Sequence, residues 1–316
     1  LISIADMLKE KYECVFILNE FSIKSIIPSY YHFFVIPEKI DTYFEAQYIL
    51  ENFPNVKTII IDGYNFEIKY QKKFKELNYK LIYIDDLHSF DIVADLIINH
   101  SPEANELYYK NCTYKKLALG TEYAILRQKF LNAAQNNRNI TELDTVFVCF
   151  GGADFYDFSY KFAIELLKIN SLKEINVVLG SGYKHNSFNN FENSKLKVYK
   201  NLAETEIFDV MNRCNFAIAP ASSVIYELCS IKMLVISGFY VDNQKNIYKG
   251  LLTKQAIIGI DDFREFDISD FYNFFETKII NAETEFYLKN QKKLFDGKSS
   301  ERIFNLIRDL WYLLKQ

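Results

Sequence analysis

The chain has 316 residues, which is enough for two domains of ordinary size. Its composition, 49% hydrophobic and 25% charged, is that of a globular protein and excludes a largely disordered chain. The net charge of −4 gives no reason to expect a nucleic-acid partner, and no apolar run approaches the roughly 20 residues of a membrane span.

Strand and helix patterns alternate through the first hundred residues. Residues 1–8 carry the apolar face of an amphipathic helix, and wholly apolar strands alternate with helices after it. Such alternation is typical of a parallel sheet covered on both faces. The predicted strands are 14–18, 32–36, 58–61, 80–84 and 94–98, and the later helices are 42–53 and 68–77.

Polar residues collect where these strands end, which is the edge at which open α/β sheets bind ligands. They are Asp62, Tyr64, Asp85, Asp86 and Asn99. The Asp85-Asp86 pair is compatible with a metal site, with a site for sugar hydroxyls, or with a solvated turn that caps a helix.

Segment 130–143 is polar and rich in Asn and Gln, so it is the best candidate for a linker. The strand–helix pattern restarts after it. We therefore predict an α/β fold of two Rossmann-like domains with a cleft between them, spanning 1–135 and 143–299, and a closing helix at 300–316 that packs back on the first domain. The predicted elements of the second half are strands 145–150, 175–179, 196–198, 216–219 and 234–237, and helices 158–169, 204–214 and 300–314.

Segment 215–230 organises the second domain. A short apolar strand ends at Pro220, which has no N–H for a sheet ladder, and Ser222 and Ser223 follow where a helix should begin. A helix N-terminus after a turn of small residues can bind phosphate, and Glu227, one turn further, could accept hydrogen bonds from a ribose diol. An ordinary capped helix is the equally good alternative.

Gly151 and Gly152 also lie between a strand and a helix, where they would allow close approach of a phosphate or of another backbone. Without a G-x-G-x-x-G pattern a simple turn is as good an interpretation, and the Gly180-Ser181-Gly182 turn is weaker still.

The five cysteines are scattered and the four histidines lack metal-type spacing. Buried free thiols in a reducing cytosol, no zinc site, and ordinary polar roles for His32, His88, His100 and His185 are the simplest interpretation, with His88 and His100 nearest the expected ligand edge.

Taken in order, several segments resemble one family, the UDP-sugar hydrolases of pseudaminic acid biosynthesis, within the GT-B group related to MurG. L-G-T-E-Y-A-I-L-R-Q-K-F at 119–130 is the most diagnostic segment. The others are I-I-I-D-G-Y-N at 59–65, Y-I-D-D-L at 83–87, A-D-L-I-I-N at 94–99, F-G-G-A-D at 150–154, A-P-A-S-S-V-I-Y-E-L at 219–228, Asn243-Gln244, and D-G-K-S-S-E-R-I at 296–303.

The resemblance implies a cytoplasmic enzyme that needs no metal or other cofactor. It would hydrolyse UDP-2,4-diacetamido-2,4,6-trideoxy-β-L-altrose by attack of water at the anomeric carbon. Asp62 and Tyr64 would be the catalytic residues, and Asn99, Asn243 and Gln244 would bind the sugar. Gly151, Gly152, Ser222, Ser223 and Glu227 would bind UDP.

The family's glycine-rich loop, whose histidine is the presumed base, does not occur in this sequence, although residues 1–6 match the helix that follows it. We expect that loop to lie upstream of Leu1. Two alternatives stay open: a glycosyltransferase that uses the same UDP site, and a non-catalytic UDP-sugar-binding protein. Oligomeric state is left open.

Overall fold

A computed structural model describes residues 1–63, 65–88 and 91–312, with the side chain of residue 312 left aside. The chain divides into two compact units. Unit 1 comprises residues 1–128 together with the chain from 298 onward, and unit 2 comprises 129–297.

The sheet of unit 1 has four parallel strands in the order β3-β4-β5-β6, and β1 and β2 form a separate parallel pair. β4 and β5 are almost wholly buried, as their continuous apolar sequences require. The strands are β1 Val15–Asn19, β2 His32–Ile36, β3 Thr58–Asp62, β4 Lys80–Ile84, β5 Leu96–Asn99 and β6 Lys116–Leu119. The helices are α1 Ile2–Leu8, α2 Thr42–Asn52, α3 Ile68–Glu76 and α11 Ser299–Tyr312.

The last helix, α11, is part of unit 1. The Ser299 hydroxyl donates to the carbonyl of Ala124 at 2.7 Å, and the Arg302 guanidinium donates to the carbonyl of Glu122 at 3.1 Å. Both acceptors lie in the 119–130 segment that carries the strongest family resemblance.

Unit 2 contains six parallel strands in the order β9-β8-β7-β10-β11-β12. This is the doubly wound order, in which the chain reverses its direction across the sheet between β7 and β10. The strands are β7 Thr145–Val148, β8 Glu174–Leu179, β9 Leu196–Lys200, β10 Phe216–Pro220, β11 Leu234–Phe239 and β12 Ile258–Asp262. The helices are α4 Gln128–Gln135, α5 Phe158–Leu167, α6 Glu204–Arg213, α7 Ser223–Ser230, α8 Lys245–Thr253, α9 Phe271–Phe274 and α10 Thr284–Leu294.

Phenylalanine fills the core of unit 2. Phe150, Phe162 and Phe263 are fully buried at the carboxyl edge of the sheet, and the rings of Phe150 and Phe162 stack with centroids 5.5 Å apart. Large rings at this edge fix the ends of β7 and β12 and therefore the turns that follow them.

Several elements differ from the sequence-based prediction. The predicted linker 130–143 begins inside α4, where Phe130 and Leu131 are buried. The sequence-based prediction does not include β6, β12, α8, α9 or α10. The strand predicted over 216–219 extends one residue further, so Pro220 is its last residue, aligned with Gly238 of β11. No helix in the described ranges is long and apolar enough to cross a membrane.

Candidate functional site

The glycine turns after β7 and β8 pack directly on each other. The Gly182 amide donates to the carbonyl of Gly152 at 2.9 Å, and a Cβ on Gly180 would lie 2.5 Å from the Cα of Gly152. Gly151 has a φ of +77°, which favours glycine, whereas a Cβ on Gly152 would meet no atom within 4 Å. The β8 turn therefore packs against one side of the β7 turn. The space that a side chain at position 152 would enter contains no protein atom within 4 Å.

The turn after β7 leads into α5, whose first amides are already satisfied. Asp154 is buried and accepts hydrogen bonds from the amides of Phe158 at 2.9 Å and Ser159 at 2.8 Å. Burial raises the pKa of Asp154 above its ordinary value, although these amides oppose the shift. Because the Asp154 side chain already accepts from these amides, this helix N-terminus cannot offer them to an anionic ligand.

The other helix at the switch point, α7, has an open N-terminus. Ser222 holds the N-cap position, but its side chain makes no capping bond, which corrects the capping role predicted from the sequence. The amide of Ile225 donates instead to the main-chain carbonyl of Ser222 at 3.0 Å, so the hydroxyl is not needed for it. Ser223 is exposed at the first helical position. Of the two helix ends at this edge, α7 is the one that can present N–H groups to a ligand.

Glu227 lies one turn into α7 and is half-buried. Burial raises the pKa of the Cys149 thiol to about 11, and the carboxylates of Asp154 and Glu227 add to that shift. Cys149 directly follows β7, and its amide donates to the carbonyl of Ile218 in β10 at 3.2 Å. The Glu227 carboxylate therefore lies close to Cys149, at the point where the end of β7 is hydrogen bonded to β10.

Asn243 and Gln244 lie in a 3₁₀ turn, Asp242–Gln244, after β11, and have different environments. Asn243 is exposed. Gln244 is buried, and its side-chain oxygen accepts from the amide of Tyr240 at 3.0 Å. The Tyr240 hydroxyl donates to the carbonyl of Phe150 at 3.1 Å. This end of Gln244 thus supports Tyr240, which in turn holds the turn before Gly151. No local sequence pattern indicates this role of Tyr240.

In unit 1, the carboxyl edge of the sheet is rich in carboxylates. Asp62 ends β3 and is exposed, whereas Tyr64 lies outside the described residues. The buried Tyr83 hydroxyl donates to the carbonyl of Gly63 at 2.9 Å. Burial raises the pKa of Tyr83, and Asp85, Asp62 and Asp86 reinforce the shift, so all three carboxylates lie close enough to act on one hydroxyl.

Asp85, His88, Asn99 and Tyr109 form a hydrogen-bonded network at this edge. One oxygen of Asp85 receives the Tyr109 hydroxyl at 2.7 Å and lies 2.9 Å from Nδ1 of His88. The Asn99 amide nitrogen donates to the Tyr109 hydroxyl at 2.8 Å, and its oxygen accepts from the amide of Ser101 at 2.9 Å. Asp85 is only 8% exposed, so the solvated-turn interpretation is wrong for it.

His88, for which the sequence predicts an ordinary polar role, is a member of this network, and so is Tyr109, which lies in the 3₁₀ turn Glu106–Tyr109 and has no predicted role. The i, i+3 spacing of Asp85 and His88 in a turn is the signal that could have indicated their pairing. Burial lowers the pKa of His100 to about 4, and its Nδ1 accepts from the amide of Ile125 at 3.1 Å, so His100 is a neutral structural residue. No group of three or more His, Cys, Asp or Glu side chains in the described ranges is arranged to hold a metal ion.

No protein-family profile matches the sequence. An uncharacterized protein of Methanocaldococcus jannaschii, MJ1062, is 27% identical over 232 residues, which are 69% of this chain and 48% of that protein. The chain therefore spans about half the length of that relative. The UDP-2,4-diacetamido-2,4,6-trideoxy-β-L-altropyranose hydrolase of Campylobacter jejuni is 28% identical over 202 residues, 62% of this chain and 71% of the hydrolase.

Solved structures with similar folds cover nearly the whole chain. MurG of Acinetobacter baumannii superposes with a TM-score of 0.62 at 10% identity, over 98% of this chain and 94% of its own. The calicheamicin glycosyltransferase CalG4 gives 0.66 at 5% identity, over 98% and 93%. The spinosyn rhamnosyltransferase SpnG, complexed with thymidine diphosphate, gives 0.57 at 10% identity, over 98% and 95%.

Proposed function

The chain has the GT-B fold, with two α/β units built on parallel sheets, and from that premise we propose that it is an enzyme that processes a UDP-sugar. In the specific form of the proposal, the substrate is a UDP-linked 2,4-diacetamido-2,4,6-trideoxyhexose and the reaction is its hydrolysis. The similarity to the Campylobacter jejuni hydrolase supports this form.

The observation that carries the proposal is the open end of α7 beside the β7 turn. In a doubly wound sheet, ligands bind outside the carboxyl ends of the strands at the point where the strand order reverses. In unit 2 that point lies between β7 and β10, which lead to Gly151 and Gly152 on one side and to Ser222 and Ser223 on the other. Backbone N–H groups and the positive end of the helix dipole would bind the diphosphate there.

Glu227 is the proposed ribose ligand. A half-buried carboxylate one turn into α7 can accept hydrogen bonds from both hydroxyls of the ribose. Its position next to the end of β7 is consistent with a nucleoside bound along the same edge as the diphosphate.

In the proposed reaction, water attacks the anomeric carbon with inversion, the bond from that carbon to the UDP oxygen breaks, and UDP leaves with the bonding electrons. The water proton is lost to a base, which the family resemblance assigns to a histidine that this sequence does not contain. Donors at the diphosphate stabilise the leaving group, so positioning of the water accounts for the rest of catalysis. Asp62, Tyr64, Asn243 and Gln244 keep their proposed roles toward the sugar. Asn99 is fully buried, and both ends of its amide are hydrogen bonded within unit 1, so its proposed role is to support Tyr109 rather than to contact the sugar.

A glycosyltransferase is the second candidate, because MurG and CalG4 superpose on nearly the whole chain. It would bind the same UDP-sugar and pass the sugar to an acceptor other than water. Release of UDP in the absence of any acceptor would support hydrolysis, whereas release that depends on an added acceptor would support transfer. Binding without turnover in either assay would support a non-catalytic relative.

The experiment is a calorimetric titration of UDP into the parent chain and two variants. Glu227→Ala should weaken binding roughly ten-fold to a hundred-fold, since charge-assisted bonds contribute about 1.5–3 kcal/mol. Gly152→Ala should weaken binding without changing stability, because the new methyl group meets no protein atom within 4 Å and only a ligand would contact it. Glu142→Ala is the control, because Glu142 is exposed, precedes β7, and forms its ion pair with Lys173. If the first two variants bind UDP as tightly as the parent, the site is wrongly assigned.

A further inference from the structure

The network around Asp85 fixes where the protons lie. Burial of Asp85 opposes its ionisation, but the hydrogen bonds from His88 and Tyr109 outweigh that effect and hold its pKa below the ordinary value. An ionised carboxylate can only accept hydrogen bonds. Nδ1 of His88 and the Tyr109 hydroxyl must therefore both donate to it, and the hydroxyl in turn accepts from Asn99.

When the imidazole of His88 is neutral, this arrangement leaves its second ring nitrogen as an acceptor. With the proton on Nδ1, Nε2 carries a lone pair in the neutral imidazole. Every hydrogen bond of the ring within the described residues involves Nδ1, and the side chain retains 16% of its exposure. The His88 backbone has a φ of +52°, which a non-glycine residue rarely adopts and which is concentrated at functional sites.

The surroundings restrict the chemistry of a ligand. Asp62 and Asp86 lie at the same edge as Asp85, so a negatively charged group would be repelled. The ring of Tyr108 is half-exposed and lies 4.4 Å from the His88 ring, centroid to centroid, which adds an apolar surface beside the acceptor. An uncharged molecule that carries O–H or N–H donors on a compact apolar frame fits these properties.

We propose that Nε2 of His88 accepts a hydrogen bond from a hydroxyl or amide N–H of an uncharged polar ligand of the sugar class, bound at the carboxyl edge of the unit 1 sheet. Asp85 and Tyr109 are positioning residues that set the tautomer and orientation of the ring. The identity of the ligand rests on the proposed function, in which the diacetamido sugar offers both kinds of donor. The tautomer of His88 does not rest on it.

The first measurement is a long-range proton–nitrogen correlation spectrum of the nitrogen-15-labelled chain, which resolves imidazole tautomers. The four histidines make assignment by substitution practical. His88→Asn identifies the His88 signals and keeps a residue that tolerates positive φ. We expect Nδ1 protonated and Nε2 bare. Asp85→Asn should move the proton to Nε2, because the amide nitrogen can donate to Nδ1; a mere loss of packing would not produce this change.

The second measurement adds UDP and then UDP-2,4-diacetamido-2,4,6-trideoxy-β-L-altrose. UDP alone should leave the His88 signals in place, and the nucleotide sugar should shift Nε2. His88→Asn should weaken binding of the nucleotide sugar about two- to ten-fold, the effect of one neutral hydrogen bond, without changing the affinity for UDP. His32→Asn, at an exposed position of β2 in the same unit, is the matched control.

The outcomes separate the two proposals. Absence of UDP binding would refute the UDP site in unit 2 and leave the test of His88 intact. A proton on Nε2 in the free protein, or His88 signals that ignore saturating nucleotide sugar, would overturn the inference about His88 whether or not UDP binds.

Discussion

The close approach of the two glycine turns predicts a large effect for Gly180→Ala. The new methyl carbon would lie 2.5 Å from the Cα of Gly152 and 2.6 Å from its carbonyl oxygen. Carbon atoms in ordinary contact are about 3.5–4.0 Å apart, so the turns must separate by roughly 1 Å or more. That movement would break the bond from the Gly182 amide to the Gly152 carbonyl, which is 2.9 Å long.

The magnitude follows from two contributions. Overpacking of a well-packed site costs about 1–3 kcal/mol, and a lost hydrogen bond adds about 0.5–1.5 kcal/mol. We therefore expect the free energy of unfolding of unit 2 to fall by about 2–4 kcal/mol. Because the turn that follows β7 would be displaced, affinity for UDP should fall as well.

Hydrogen exchange of the β7 and β8 amides, followed by mass spectrometry, measures this stability separately from that of unit 1. Gly152→Ala is the control, because its new methyl group meets no atom within 4 Å. It should leave the stability measured at the β7 and β8 amides within about 0.5 kcal/mol of the parent. If Gly180→Ala is protected as well as the parent, the packing of the two turns is wrong, and so is the argument that the β8 turn positions Gly152.

Three further substitutions test buried polar groups. Tyr109→Phe should lower the stability of unit 1 by about 1–3 kcal/mol, measured by hydrogen exchange of β4 and β5, because Asp85 and Asn99 each lose a buried partner. Gln291→Leu should cost unit 2 a similar amount in the same assay, since its amide nitrogen donates to two buried carbonyls at 2.8 Å each. Burial lowers the pKa of Lys232 in the folded chain to about 8, below the ordinary value of 10.5. Between these two pH values the unfolded chain binds more protons than the folded chain, so the free energy of unfolding rises with pH. Lys232→Met should abolish that rise, at most about 3 kcal/mol, in urea unfolding curves compared at pH 7 to 10; equal slopes for both proteins would contradict the assignment.

The sequence predicted the elements of unit 2 that have the simplest patterns. Apolar runs located β7, β8, β10 and β11, and the positions of Gly151 and Ser222 after two of them followed directly from chain order. The sequence could not reveal that β7 and β10 are neighbours at a switch point, because strand order depends on long-range pairing that leaves no local pattern.

The networks of polar side chains were the least predictable part. Asp85 was identified as a polar strand end, but its partner Tyr109 is separated from it by 24 residues and lies in a turn without hydrophobic periodicity. Asp154 belongs to the quoted F-G-G-A-D motif, yet its role in closing the α5 N-terminus emerged only from the geometry of its two oxygens. Local patterns place elements, whereas hydrogen-bond partners depend on the tertiary structure.

The pairing of β7 with β10 also bears on the order in which unit 2 folds. Thr145 and Asn215, which are hydrogen bonded at the start of these strands, are 70 residues apart, and β8, β9, α5 and α6 lie between them. Bringing such distant segments together carries a loop-closure entropy that shorter contacts avoid. A chain that has formed the β7 turn but not this pairing has only half of the candidate site. A ligand that needs both halves would therefore slow unfolding of unit 2 and leave the early steps of its folding unchanged.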